Sequence, residues 1–404
     1  MKLDENTKTL ITLYIPSSIV SVGQGMVLPT TPALAASFDV LPALAVQVVT
    51  AQLFGRMLVT LPSGILIDRL GRKPAMLVGP VLIVLGSVMT VFTPSFALLV
   101  VAQFISGAGA AIWQLGREVA AIDLIQPHQR GRVLALFFGI GSAGQALGPV
   151  LGGVITDWYG FRAVFVVSMV LSIGVIALSM TLPETGKHAP RSQSHIFDFG
   201  RLSDLEPMYR MTYVVLIFAT LAQMIRMTVI NAMLPLRVET ELGFSTTEVG
   251  ALFGVMGMVN LIVMGPAGWV SDHFGRKAAT VPAALLTAVA FLAYPFATEM
   301  WSLSIISVLV GIAGGFALGA MTVFTYDIVP DHARGRLQAL RRTLGEVGGL
   351  GGPVLAGAVA TVTGAGATFL VFAPVHILSC LLLAFVAVET AGHKRGAPAS
   401  KSGS

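Results

Sequence analysis

The feature that restricts this chain most is apolar sequence broken only by short charged turns. Residues 75–116 hold no charged side chain, and only Thr93-Pro94-Ser95 interrupts them with turn-forming residues. Comparable runs recur along the chain, at about 9–35, 43–67, 75–92, 96–122, 131–156, 162–182, 208–236, 247–270, 278–297, 301–326, 335–361 and 366–388. Each approaches the roughly 20 residues that cross about 30 Å of hydrocarbon as a helix. Barrel strands would alternate in polarity, and these runs do not. The reading is an all-α integral membrane protein with 12 transmembrane helices.

Composition supports that class. The chain is 55% hydrophobic and 11% charged, too apolar for most of it to face water. A net charge of +5 can signal nucleic-acid binding, but the basic residues are scattered between apolar runs and form no patch. They report topology instead. With a cytoplasmic N-terminus, all but Arg56, Arg162, Arg226 and Arg237 of the 25 Lys and Arg fall at or near the cytoplasmic face. The lone Cys380 excludes a disulfide framework and a CxxC metal pair.

The chain repeats itself. Gly64-x-x-x-Asp68-Arg69-x-Gly71-Arg72-Lys73 between the second and third runs returns as Gly268-x-x-x-Asp272-x-x-Gly275-Arg276-Lys277, an offset of 204. At the same offset Asp123 and Arg130-Gly131-Arg132 match Asp327 and Arg334-Gly335-Arg336, and Gly148-Pro149 matches Gly352-Pro353. A six-helix unit doubled in parallel encloses a site between its halves. The expected parts are an N-terminal six-helix bundle over 1–182, a cytoplasmic linker over 183–207, a C-terminal bundle over 208–390 and a polar tail over 391–404.

These residues resemble the major facilitator superfamily across nearly the whole chain. The loop motif is similar, almost letter for letter, to the family's G-x-L-x-D-R-x-G-R-R/K. The resemblance implies that Asp68 meets the cytoplasmic start of the eleventh helix, and that Arg72 pairs with Asp123 at the end of the fourth. Both contacts would latch the outward-facing state. Charge chemistry agrees, since a carboxylate is favoured at a helix N-terminus and Arg binds a carboxylate bidentately. Asp272, Arg276 and Asp327 would pair likewise in the second half. The fifth helix, Gly144-x-x-x-Gly148-Pro149-x-x-Gly152-Gly153, is similar to the motif of drug:proton antiporters, with Ala135 where that pattern begins with glycine. Small residues four apart let helices approach closely, and Pro149 permits a bend; tight packing alone also explains them. Gln103 departs from the pattern, standing where many proton-coupled exporters carry an Arg in the fourth helix.

Polar groups at membrane depth are the candidates for chemistry. Arg56 and Arg226 lie near the middles of their runs, with Gln24, Asn231 and Arg117 as further cavity candidates; Arg117 equally fits the cytoplasmic basic belt. Glu118 and Glu346 are the proton-coupling candidates. Arg342 lies one turn before Glu346 and can pair with it, Arg341 can reach the cytoplasmic surface, and His376 suits a satisfied packing role. The first run holds no acid before Asp39, so it lacks the carboxylate of some cation exporters. With two arginines at depth, the expected solute is amphipathic and neutral, zwitterionic or anionic.

The sequence carries no HExxH, G-x-S-x-G or Walker loop. Gly139-Ile-Gly141-Ser-Ala-Gly144 spells G-x-G-x-x-G, but inside a membrane helix with no preceding strand. The expectation is therefore a transporter rather than an enzyme, without metal or cofactor, driven by a proton or solute gradient. The resemblance implies a monomer in the cell membrane whose partners are a small-molecule substrate, protons and lipid. A symporter or facilitator importing an organic anion is the alternative.

Overall fold

In hydrocarbon every backbone N–H and C=O needs a partner within the chain, and a helix supplies one locally. The computed structural model describes residues 14–70, 72–124, 130–180, 205–330 and 333–390, and these are helical nearly throughout. The helices are α1 (Ile15–Ser37, passing through a 3-10 turn at Leu28–Thr30), α2 (Val46–Leu70), α3 (Arg72–Phe92), α4 (Phe96–Leu124), α5 (Arg130–Tyr159) and α6 (Phe161–Met180). The second series is α7 (Pro207–Pro235), α8 (Thr246–His273), α9 (Arg276–Ala293) and α10 (Met300–Ile328), then a trace over Arg334–Leu381. Gly364 breaks that trace with φ +84°, giving α11 before it and α12 after it. Among the described residues these make twelve long helices, and nine spans are long and apolar enough to cross a membrane. Most of the 183–207 linker and all of 391–404 lie outside the described residues.

The repeat is visible in the backbone. Gly160, between α5 and α6, has φ +78°, and its counterpart 204 residues on is Gly364. Asp39 is the one non-glycine residue with positive φ among those described, and its counterpart is Gly243. Both positions end a helix in the left-handed conformation that reverses the chain.

By contact density the chain divides into two compact units. One is Met1–Gln193 with Thr228–Met258 and Leu350–Thr368; the other is Ser194–Met227 with Val259–Gly349 and Phe369–Ser404. Lipid-embedded helices gain little from hiding apolar surface from one another, so close packing of small residues holds them together. In the first unit a Cβ on Gly79 would stand 2.5 Å from Trp113 Cβ, and one on Gly109 would stand 2.5 Å from the Gly79 carbonyl oxygen. Trp113 of α4 is thereby held against α3, packed on Val20, Met76 and Val175. In the second unit Tyr213, Leu216, Phe324, Leu337 and Leu383 form a buried cluster, and the Tyr213 hydroxyl donates to the Leu337 carbonyl at 2.6 Å.

Candidate functional site

The loop motif of the second half folds into a charge cluster. Gly275, at φ +110°, starts α9 so that Arg276 turns back toward the ends of α8 and α10. Arg276 Nε donates to Asp327 Oδ2 at 2.8 Å, and Nη1 donates to Asp272 Oδ1 at 2.6 Å and to the Ser271 carbonyl at 3.0 Å. The pairing expected of Asp272, Arg276 and Asp327 is present. The two bonds differ in setting, because Asp327 is 11% exposed and Asp272 69%. Glu389 completes the cluster by accepting the first N–H groups of α9, Arg276 at 2.8 Å and Lys277 at 2.9 Å.

The motif lysines share a task. Lys73 Nζ donates to the Met180 carbonyl at the end of α6 at 2.9 Å, and Lys277 Nζ donates to the Ala384 and Ala387 carbonyls after α12. Met180 and Ala384 are 204 residues apart, so the same staple recurs in each half. A cation suits such carbonyls because the last turn of a helix leaves them unpaired and negative. The side chains of Asp68, Arg69, Arg72 and Asp123, and Gly64 and Gly71 apart from any helical backbone, lie outside the described residues, as does the Glu118 side chain.

The glycines of α5 form two seams. Toward α1, a Cβ on Gly144 would stand 2.8 Å from Ser21 Cβ, one on Gly148 would stand 2.6 Å from the Val22 carbonyl oxygen, and one on Gly152 would overlap the Met26 carbonyl. Toward α8, Gly153 approaches the Thr246 carbonyl, where a Cβ would come to 2.5 Å. Gly250 faces the Pro149 carbonyl and Gly257 faces Ala146. Only hydrogen side chains permit this approach.

Beside that second seam lies a contact the sequence reading missed. Asp157, near the end of α5, accepts the Thr246 N–H at 3.1 Å through Oδ1 and the Thr247 N–H at 2.7 Å through Oδ2. Ser245 and Glu248 form a reciprocal capping box, Ser245 N–H to Glu248 Oε2 at 2.8 Å and Glu248 N–H to Ser245 Oγ at 3.2 Å. Together they satisfy the first N–H groups of α8. The Thr246 hydroxyl also donates to Glu239 Oε2 at 3.2 Å. The spacing Ser245-x-x-Glu248 was the available signal for a helix start; nothing in the sequence linked it to Asp157.

The polar groups at membrane depth separate into two sets. In the first half Arg56 Nη2 reaches Gln24 Oε1 at 3.4 Å, and Gln103 Nε2 donates to Thr90 Oγ1 at 3.0 Å. Gln24, Gln52, Gln103, Ser106 and Ser172 line a cavity of about 30 Å³, room for a water molecule. In the second half Arg226 is 9% exposed and lies within electrostatic reach of the Tyr294 hydroxyl and the His376 ring. The Asn260 amide sits beside it near Gly314. Asn231 is half-buried further along α7.

Three readings need correction. Arg341 does not reach the surface: it is 7% exposed, with Nη1 donating to Thr220 Oγ1 at 2.7 Å and Nη2 to Gln338 Oε1 at 3.1 Å. Arg117 belongs to no surface belt, being buried with its guanidinium 4.6 Å from the Trp113 ring centroid. His376 packs edge-on against Phe291, as a packing residue should, but its Nε2 is buried without a hydrogen bond, so it is not satisfied. Arg342 and Glu346 meet only at 4.0 Å, 70% and 40% exposed, a weak pair.

A second, larger cavity opens along α2, α4 and α11. It holds about 720 Å³ and is lined by apolar side chains including Val46, Phe54, Phe104, Pro353 and Val354. That volume lies in the range of small-molecule pockets.

Comparison with known proteins agrees with this architecture. The sequence model described as Major Facilitator Superfamily matches residues 13–225 and 216–403. An uncharacterised MFS-type transporter of Mycobacterium tuberculosis is 29% identical over 166 residues, 40% of this chain and only 24% of that protein, so the match spans about a quarter of its length. The quinolone resistance protein NorA of Staphylococcus aureus is 22% identical over 358 residues, 87% of this chain and 90% of that protein. Among solved structures, a D-xylose-proton symporter superposes with a TM-score of 0.77 at 17% identity, covering 96% of this chain and 99% of the other.

Proposed function

The chain belongs to the major facilitator superfamily, and from that premise we propose that it exports a small amphipathic molecule in exchange for protons. The observation that carries this reading is α5, whose Gly144, Gly148, Gly152 and Gly153 replace side chains at two backbone-close seams, with α1 and α8. A seam without side chains can part and reseat without repacking a core, as alternating access requires of helices at a gate. Similarity to a quinolone resistance protein along 87% of the chain favours the same direction.

The solute is amphipathic. The 720 Å³ groove suits an apolar body, and Arg56 and Arg226 with Gln24 and Asn231 supply donors that suit neutral, zwitterionic or anionic groups. The charge cluster of Asp272, Arg276 and Asp327 acts as an inner latch, with Asp68, Arg72 and Asp123 as its counterpart. Glu118 and Glu346 carry the proton. The protein works as a monomer in the cell membrane with both termini cytoplasmic, and it needs no cofactor.

The test is proton flux in liposomes holding the purified protein and an internal pH dye, with panels of cationic, neutral and anionic amphiphiles. Solute-dependent proton movement opposite to the solute is expected, strongest with the neutral and anionic panels and lost in the Glu118→Gln, Glu346→Gln double variant. Co-directional movement would make the chain a symporter, the reading that Gln103 in place of the exporters' Arg favours. Flux without proton movement would make it a facilitator.

A further inference from the structure

The two halves carry polar clusters at matching positions, and the clusters differ in their hydrogen bonding. At the repeat offset of 204, Asn260, Tyr294, Ser307 and His376 correspond to Arg56, Thr90, Gln103 and Ser172. In the first half Arg56 reaches Gln24 and Gln103 donates to Thr90, beside a water-sized cavity that Ser172 lines. In the second half Asn260 Oδ1, Tyr294 Oη, Ser307 Oγ and His376 Nε2 are all buried without a hydrogen bond. Tyr294 and Ser307 are fully buried and His376 is 2% exposed. The Tyr294 and Ser307 hydroxyls stand next to each other yet miss hydrogen-bond geometry.

Arg226 brings the charge. It is 9% exposed, has no carboxylate partner among the described residues, and lies beside Asn260 at Gly314 and within electrostatic range of Tyr294 and His376. A guanidinium cannot shed its proton to escape burial, unlike a lysine or histidine. Its neighbours are groups that can donate: two hydroxyls, an imidazole N–H in one tautomer, and an amide NH₂ once Asn260 is rotated. Gly314 keeps the place open, since a Cβ there would stand 2.7 Å from Asn260 Nδ2 and 3.7 Å from Arg226 Nη1.

We propose that Arg226, Asn260, Tyr294, Ser307 and His376 form a binding site for a singly charged anionic group in the core of the second half. The occupant supplies the counter-charge that Arg226 lacks and the acceptor that the two hydroxyls and the imidazole N–H await. The same chemistry is offered by a free halide or formate and by the carboxylate of a transported solute. The site stands whether the chain exports or imports.

The experiment uses the full chain in nanodiscs at fixed pH and ionic strength, titrating bromide or formate against gluconate while following thermal unfolding. A saturable stabilisation by bromide and formate is expected, abolished in Arg226→Gln and in Gly314→Ala, and weakened at least several-fold in Tyr294→Phe and Ser307→Ala. Bromide anomalous scattering beside Arg226 in crystals would place the ion. Equal behaviour in bromide and gluconate, or full stabilisation surviving in the Tyr294→Phe, Ser307→Ala double variant, would overturn the proposal. That double variant keeps apolar volume and decides the matter should Arg226→Gln fail to fold. If an anionic amphiphile that the protein transports displaces bromide, the occupant is the solute's carboxylate; if it does not, the halide is resident. Because this readout needs no transport, its failure is distinct from a failure of the proton-flux assay.

Discussion

Replacing Asp157 with Asn should loosen the joint between α5 and the start of α8, and the structure sets the size of the effect. The carboxylate accepts two N–H groups, from Thr246 at a partly buried site and Thr247 at an exposed one. Asparagine keeps one acceptor oxygen and turns an NH₂ toward the other N–H. A hydrogen bond to a charged group is worth about 1.5–3 kcal/mol, and an acid at a helix N-terminus about 0.3–1 kcal/mol more. Exposure at Thr247 puts the loss at the lower end, about 1.5 kcal/mol, because Ser245 and Glu248 still cap the helix. That corresponds to roughly a tenfold shift toward molecules in which the joint is open. Spin labels at Tyr159 and Thr240 in a Cys380→Ser background would report the spacing across the joint by pulsed electron resonance. The long-distance population should rise about tenfold in Asp157→Asn and more in Asp157→Ala. An unchanged distribution in both variants would mean that the glycine seam alone holds the joint and that the cap is incidental.

Other consequences follow from the same kind of accounting. Asp327→Asn should destabilise the protein by about 2–3 kcal/mol, less than the 3–5 kcal/mol typical of a broken buried pair because Arg276 keeps Asp272, whereas Asp272→Asn should cost at most about 1 kcal/mol. Thermal unfolding in detergent checks this, and the opposite order would refute the assignment from burial. Gly152→Ala forces a Cβ onto the Met26 carbonyl and should cost about 1–3 kcal/mol, while Gly139→Ala, whose Cβ would meet nothing within 4 Å, should be neutral or stabilising by up to about 1 kcal/mol. Equal melting temperatures for the two variants would remove the seam. Lys73→Met and Lys277→Met should each lower stability by about 0.5–1.5 kcal/mol, with Lys277→Met the larger because it gives up two carbonyl contacts against one; hydrogen exchange at the ends of α6 and α12 should rise locally, and unaffected protection there would contradict the staple.

What the sequence made legible was local or periodic. Apolar runs near 20 residues marked the helices, and Thr93-Pro94-Ser95 marked the turn between α3 and α4, which the structure places between Phe92 and Phe96. Asp272 and Arg276 lie on either side of the break at Gly275, so their pairing, like that with Asp327, was legible from the repeat and the resemblance and not from helix spacing. Arg341 was misread because its partners are remote or side-dependent. Adjacent residues on a helix point about 100° apart, and only the position of Thr220 on α7 decides that Arg341 faces inward while Arg342 faces out. Asp157 was missed for the same reason, since an acid and a helix start 89 residues apart meet only in three dimensions. The Arg226 cluster draws on α7, α8, α10 and α12 and the end of α9, and no spacing in one helix announces it.

Duplication turns these gaps into evidence. A doubled unit begins with the same contact at each repeated position, so a position that keeps its contact in both halves serves the fold, and one that has diverged serves something each half does differently. Lys73 and Lys277 keep their task, and Gly160 and Gly364 keep their backbone. Asp157 has no acid at its counterpart, Thr361, and Arg226 has an apolar one, Val22. The acid that caps α8 and the arginine buried among orphaned polar groups are thus the features without a counterpart in an otherwise repeated scaffold. Because the repeat runs in parallel, exchanging the halves does not exchange the two membrane faces, so these features mark a division of labour between the halves and not the direction of transport.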